Sequence, residues 1–235
     1  MAPGTCRIPA SAVDDEPRGL GANAQGGLRV SGTAGRIDWA VSAYRGIEPF
    51  GQIESANPPP LIGVPPRLVR SYPRFTMVGG DFETVRGAWG LRGELAAFVD
   101  DSFQTSDLRI APGSSLDAGL AVDRKAGEYR VSATLFLHHE SVDPLPGIPE
   151  GSSRNDVSLI GSADRSFRRD RYNLRTFAVF TPSESSAFLR AIATASVRDN
   201  VVIEASGGWF AGEGEDLTGR FAECDFAYVR LKYYF

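Results

Sequence analysis

The residues with the clearest capacity for chemistry are His138, His139 and Glu140, consecutive in the chain, with Ser141 and Asp143 close behind. A histidine beside carboxylates can move a proton or hold a metal, and Ser–His or Asp–His arrangements serve hydrolases. The spacing argues against both uses. Neighbours on a strand point to opposite faces, so His138 and His139 do not meet at one metal. A polar position at the end of a strand is the expectation. Gly212-Glu213-Gly214-Glu215-Asp216 is acidic and glycine-rich but lacks the spacing of a calcium loop, and reads as a solvated hairpin tip. Gly79-Gly80-Asp81 precedes no Lys-Ser/Thr pair and no helix, so it is not a phosphate loop. Cys6 and Cys224 are too few for a disulfide scaffold or a cysteine-rich zinc site. The expectation is therefore a protein that is not an enzyme and needs no metal or cofactor.

The elements that would position such residues are strands. The chain has 235 residues, 42% hydrophobic and 23% charged, which excludes a disordered chain. Its 10% aromatic content, with 26 Gly and 15 Pro, favours strands joined by turns. A net charge of −4 argues against nucleic acid as a partner. No apolar run is long enough for a transmembrane helix, which leaves a membrane β-barrel open, because a barrel alternates apolar and polar residues. The start, Met1 to Cys6, carries neither the basic and apolar segments of a signal peptide nor a lipoprotein signal.

Period-2 alternation runs from about residue 27 to the end. Trp89, Leu91, Gly93, Leu95, Ala97 and Val99 alternate with Arg92, Glu94 and Asp100. Tyr129, Val131, Ala133, Leu135 and Leu137 alternate with Arg130, Ser132, Thr134 and His138. The pattern predicts eleven strands, over 27–34, 36–46, 71–84, 88–100, 115–124, 128–139, 155–167, 171–181, 186–198, 200–211 and 221–235, with an irregularity near Phe75, Met77 and Val78. Residues 1–26 read as an irregular segment before a single β domain over 27–235. Tight turns are expected at Ala34-Gly35, 85–87, 125–127, 167–170 and Asp199-Asn200. Longer connections are expected at 47–70, where Pro58-Pro59-Pro60 and Pro65-Pro66 stiffen the chain, and at 101–114, 140–154 and 212–220, with a shorter one at 182–185. Short turns then share one end of the sheet and long loops the other, the asymmetry of outer-membrane barrels.

Parity sorts residues onto two faces. Trp39, Trp89, Tyr129, Phe167 and Tyr172 are expected on the apolar face beside the short turns, and Phe180, Phe188 and Trp209 on the same face towards the other end, in the manner of interfacial aromatic belts. The opposite face takes Arg92, Glu94, Asp117, Asp123, Arg130, Asp164, Arg175, Arg190, Glu204, Arg230 and Lys232. In a membrane barrel that face lines a wet lumen. The order of these residues suggests an arginine-rich side and an acidic side, a transverse field that tunes solute selectivity. The other reading is ion pairs that brace a closed lumen.

The chain ends Ala227-Tyr228-Val229-Arg230-Leu231-Lys232-Tyr233-Tyr234-Phe235. Val229, Leu231, Tyr233 and Phe235 fall on one parity, Arg230 and Lys232 on the other. This ending resembles the C-terminal strand of bacterial outer-membrane β-barrels, which finishes in Phe on the lipid side and which the barrel-assembly machinery recognises. The stretch Met77 to Phe98, with Gly79-Gly80-Asp81-Phe82-Glu83 and Trp89-Gly90-Leu91-Arg92-Gly93-Glu94, resembles a strand–turn–strand of large porin-like proteins of unknown function. The resemblance covers about residues 27–235 and carries no catalytic residue. Members are usually longer and bear a signal peptide, and this chain departs from both.

The resemblance implies an all-β, antiparallel up-and-down transmembrane barrel of eleven or twelve strands in the outer membrane of a Gram-negative bacterium. Its expected partners are outer-membrane lipid, the barrel-assembly machinery and small solutes, with an oligomer left open. The expected function is a porin-like channel for small hydrophilic solutes. The alternatives are the C-terminal part of a larger gated transporter and a non-conducting structural or rim-hydrolase barrel. An odd strand count suggests an incomplete chain lacking an earlier strand, or a first strand near Thr5 to Val13.

Overall fold

A computed structural model describes residues 13–15, 17, 19, 21, 23–56, 68–105, 107–146, 151–213 and 218–235. The segment 1–12 with Cys6, the proline-rich runs and residues 214–216 of the acidic tip lie outside the described residues. Among those described there is no α-helix. The strands are β1 (Val13–Asp14), β2 (Gly26–Ala34), β3 (Ile37–Ile47), β4 (Gln52–Ser55), β5 (Leu68–Ser71), β6 (Arg74–Arg86), β7 (Trp89–Gln104), β8 (Ile110–Ala126), β9 (Tyr129–Val142), β10 (Ser152–Phe167), β11 (Tyr172–Thr181), β12 (Ser186–Arg198), β13 (Val201–Ala211) and β14 (Phe226–Tyr233).

Eleven of them form one antiparallel meander in the order β14-β13-β12-β11-β10-β9-β8-β7-β6-β3-β2. These are the eleven strands the alternation predicts. β1, β4 and β5 form a small separate sheet, with β4 and β5 in the connection from β3 to β6. β1 comes from the segment expected to be irregular, and pairs Val13 with Val69 in parallel. β2 and β14 are the free edges of the large sheet, which is not closed into a barrel. Because the strand number is odd, these two edges run in the same direction, from the long-connection end towards the tight turns.

The turns explain the registers. Gly35, Gly87 and Gly127 each open a two-residue hairpin loop with φ of +65°, +64° and +63°, the left-handed first position that the twist of paired strands demands and that glycine fills without strain. The connections at the other end are longer but shorter than expected in two places. β7 runs on to Gln104 and β8 begins at Ile110, so only residues 105–109 join them, and β9 and β10 likewise extend to Val142 and from Ser152. A bulge in the pairing of β7 with β8 between Phe98 and Asp101 makes this continuation feasible. Asp100 takes a left-handed φ of 58°, and Asp101 then accepts a hydrogen bond from Ser115 at 2.7 Å. The irregularity expected near Phe75 and Met77 is not in β6, whose registers with β3 and β7 run without a shift through Met77 and Val78. Alternation blurs there because apolar side chains occupy both faces, with Tyr44, Phe75 and Phe98 in ring contact at 5.9 and 5.8 Å.

The faces differ in exposure. Along β9, Leu135 and Leu137 are exposed while Thr134, Phe136 and His138 are half-buried. On this strand the charged face is the more sheltered one, and the apolar, outward face the more exposed. Only Ala40, Ile47 and Ala111 are buried hydrophobics among the described residues. The accessible surface is 16344 Å², where a compact water-soluble protein of 25.3 kDa exposes roughly 10,300 Å². Apolar burial by this chain alone therefore does little to hold the sheet, and the backbone ladder does most.

Candidate functional site

The registers carry all eleven predicted charged residues to one face. Glu94 pairs across β7–β8 with Gly119, Asp164 sits opposite both Arg130 and Arg175, and Glu204 opposite both Thr194 and Arg230. Asp117, Asp123, Arg92, Arg190 and Lys232 share the same parity. The side chains do not separate into an arginine-rich and an acidic side. They interdigitate: Arg92 meets Asp123 at 2.9 Å, Arg175 meets Asp164 at 3.2 Å, and Arg230 and Lys232 both close on Glu204 at 2.7 and 2.8 Å. Parity assigns a face, but a long arginine side chain reaches the nearest carboxylate on an adjacent strand, and that proximity decides the pairing. Arg190 finds no carboxylate and donates to Ser206 at 3.0 Å and Tyr228 at 2.8 Å.

Cavities open onto this face, two of them of contrasting character. One, of about 440 Å³, lies between Arg29, Asp81, Glu83, Arg92 and Glu94 and continues to Ser132 and Thr134. It is polar, and Arg29 is pinned there by Asp81 at 2.8 Å. The other, at the long-connection end, is lined largely by rings. Phe188 belongs to this second cavity. It pairs with Phe210 across β12–β13 and shares the parity of Arg190, so it stands on the charged face and not on the apolar one expected for it. Phe136, Phe177, Phe210 and Phe221 accompany it, and the alternation pattern did not reveal the group. A signal was available: in Leu135-Phe136-Leu137, Phe188-Leu189 and Trp209-Phe210 the alternation collapses, because both faces are apolar there.

His138 lies beside this cavity on the charged face and His139 on the other. Nδ1 of His138 lies 2.5 Å from Asp117 and Nε2 2.9 Å from Glu140, so a carboxylate flanks each ring nitrogen. His139 lies by Asn155 at 2.8 Å. Ser141 and Asp143 do not complete a nucleophile with either ring.

The outward face is as consistent as the charged one. In the registers of the eleven strands no Asp or Glu falls on it among the described residues, and Asp100, in the bulge beside it, meets Arg45 at 3.6 Å. Leu95, Leu120, Leu159, Leu189 and Val229 are exposed on it. Trp39, Trp89, Tyr129, Phe167 and Tyr172 stand at its tight-turn end, and Phe180 and Trp209 towards the other. Arginines lie over the turn-end rings: Arg124 over Trp89 at 4.9 Å, Arg165 over Tyr129 at 4.6 Å and Arg168 over Tyr172 at 5.7 Å. On β14, Val229, Leu231 and Tyr233 are exposed, as is Phe235 just beyond it, and Arg230 and Lys232 turn the other way. No helix among the described residues is long and apolar enough to cross a membrane, which says nothing of a crossing by strands.

Comparison with known family models, curated proteins and solved structures gives no match.

Proposed function

We propose that the eleven-stranded sheet is the wall of an outer-membrane β-barrel, porin-like in character, that passes small hydrophilic solutes along its charged face. The observation that carries this reading is the outward face: a continuous apolar surface without carboxylates, with aromatic rings and arginines gathered at its turn end. In water such a surface would be an aggregation hazard. Against lipid it is at rest, the rings and guanidinium groups sitting at headgroup depth. The wet face supports the other half of the proposal, since ion pairs keep its charges solvated and mutually compensated. The C-terminal strand, with Phe235 on the outward parity, supports recognition by the assembly machinery.

Lipid does not tolerate the unpaired backbone groups of a sheet edge. β2 and β14 must therefore be satisfied in the membrane, by each other or by another strand. The mechanism in the open pore is diffusion down a gradient, with no bond made or broken. The test is refolding of the full chain into phospholipid vesicles, followed by protease digestion and planar-bilayer recording. Strands resistant to protease and discrete current steps are expected. Digestion of the strands in vesicles refutes the membrane reading, whereas protected strands without current leave a non-conducting barrel.

A further inference from the structure

The ring-lined cavity at the long-connection end has a volume of about 630 Å³, within the range of sites for one small organic molecule. Its rings come from separate strands and from the short 3₁₀ turn Gly219–Phe221: Phe136, Phe177, Phe188, Phe210 and Phe221. Phe188 stacks on Phe210 at 4.3 Å and 28°, Phe177 meets Phe188 edge-on at 6.3 Å, and Phe221 lies 5.9 Å from Phe210. These rings stand on the face that carries the ion pairs, and a cavity lies between them. A concave apolar surface held open in a polar setting is a contact surface for something apolar that covers it. Its polar margin is small and defined: the hydroxyls of Ser158 and Thr181, 3.2 Å apart, with His138 and Asp156 beside them.

The margin also argues the charge of the occupant. His138 lies between Asp117 and Glu140, and Arg154 lies between Asp156 at 2.9 Å and Glu184 at 2.8 Å. Two cations, His138 and Arg154, serve four carboxylates there, so the margin is net acidic and disfavours an anion. A hydroxyl or amine, in contrast, finds the Ser158 and Thr181 oxygens as acceptors.

We propose that this cavity binds a ring-bearing solute without negative charge, of one or two fused aromatic rings with a single hydroxyl or amino group. The ring packs against the Phe188–Phe210 stack and edge-on to Phe177, and the polar group turns to Ser158 and Thr181. This adds a site for a more apolar solute beside the charged face of the proposed channel, and rests on that reading only for the route by which the solute arrives.

The experiment is calorimetric titration of 1-naphthol into the full chain in phospholipid nanodiscs, with the heat from empty nanodiscs subtracted. Saturable binding of one molecule per chain is expected after that subtraction. Phe188→Ala should weaken it about tenfold, the loss of two ring contacts and their buried area. Phe210→Leu keeps an apolar side chain, guards against misfolding, and should weaken binding in the same direction. Leu120→Ala on the outward face should leave it unchanged, and decahydro-2-naphthol, of similar size without aromatic rings, should bind less tightly. Heat equal to that of empty nanodiscs, or equal affinity in the wild type and both Phe variants, overturns the proposal. Conductance is recorded on the same protein: naphthol binding without current removes the channel and keeps the site, and current without naphthol binding removes the site alone.

Discussion

Leu120 is the position at which the two solvents of this sheet can be told apart most sharply. It lies on the outward face near the middle of β8, half-exposed at 50%, flanked in register by Gly93 and Leu135. Among the described residues no carboxylate in the strand registers shares its face. If water bathes it, Leu120→Arg replaces one exposed side chain by another and changes stability by no more than about 0.5 kcal/mol. If acyl chains bathe it, an arginine at mid-depth costs about 2–4 kcal/mol, with no acid on the same face to relieve it. The middle of that range is roughly a hundredfold in the folding equilibrium. The assay is urea unfolding of the protein refolded into phospholipid vesicles, followed by tryptophan fluorescence. Trp89→Arg, at the turn end of the same face, is the depth control and should cost about 1 kcal/mol or less. A Leu120→Arg cost within about 0.5 kcal/mol would refute the lipid-facing assignment, whatever the pore does.

Glu204→Gln leaves Arg230 and Lys232 without their shared carboxylate, so the wet face gains positive charge and bilayer reversal potentials should move towards anion selectivity; no shift in a conducting protein contradicts placement of this cluster beside the solute path. Gly93 and Gly161 both lie on the outward face, but a side chain at Gly93 would run into the Phe82 ring, whereas Gly161 faces open space. Gly93→Val should therefore cost about 1–3 kcal/mol in urea unfolding and Gly161→Val less than about 0.5, and equal effects would remove the contact argument. The hydroxyl of Thr105 and the guanidinium of Arg109 donate to Asp107 in the 105–109 bend and hold its carboxyl below the ordinary carboxylate range. A depressed acid stabilises the folded form above its unfolded value and loses that contribution as pH falls from there through its folded value. Hydrogen exchange in this bend should stay flat from neutral pH into the mild acid range, after correction for intrinsic rates, and rise only below it; a rise near neutrality would show that another group holds the bend. Deleting Phe235 should slow assembly into vesicles that contain the assembly machinery more than spontaneous refolding without it, and equal slowing would mean a structural role alone.

The eleven large-sheet strands were legible because each puts apolar side chains on one face and polar ones on the other, so side-chain character changes with every residue. The same rule explains where legibility fails. At Met77, Phe136 and Phe188 an apolar side chain stands on the charged face, the period vanishes, and so did the ring-lined cavity and the face of Phe188. The segment Asp100-Asp101-Ser102 looks like a loop by composition, yet one bulge absorbs a residue at Asp100 and the strand continues to Gln104. Parity also carried the eleven charged residues to one face, but it holds no information on which neighbour an arginine will reach. Arg175 could have faced a lumen alone, and it lies against Asp164. His138 and His139 were separable from their adjacency alone, while the bracketing of His138 by Asp117 and Glu140 depended on a strand distant in sequence.

The common direction of β2 and β14 has a mechanical consequence. Every junction in the large sheet is antiparallel, so zipping these two edges directly would create one parallel seam, and keeping the pairing antiparallel throughout would require a further strand between them. A parallel seam has slanted hydrogen bonds and is slightly weaker per residue than its neighbours. Stitched by strands of only 9 and 8 residues, against 16 and 17 for β7 and β8, it would be the first line to part under thermal or lateral stress. A wall closed in that way carries a built-in slit running from the turns to the loops.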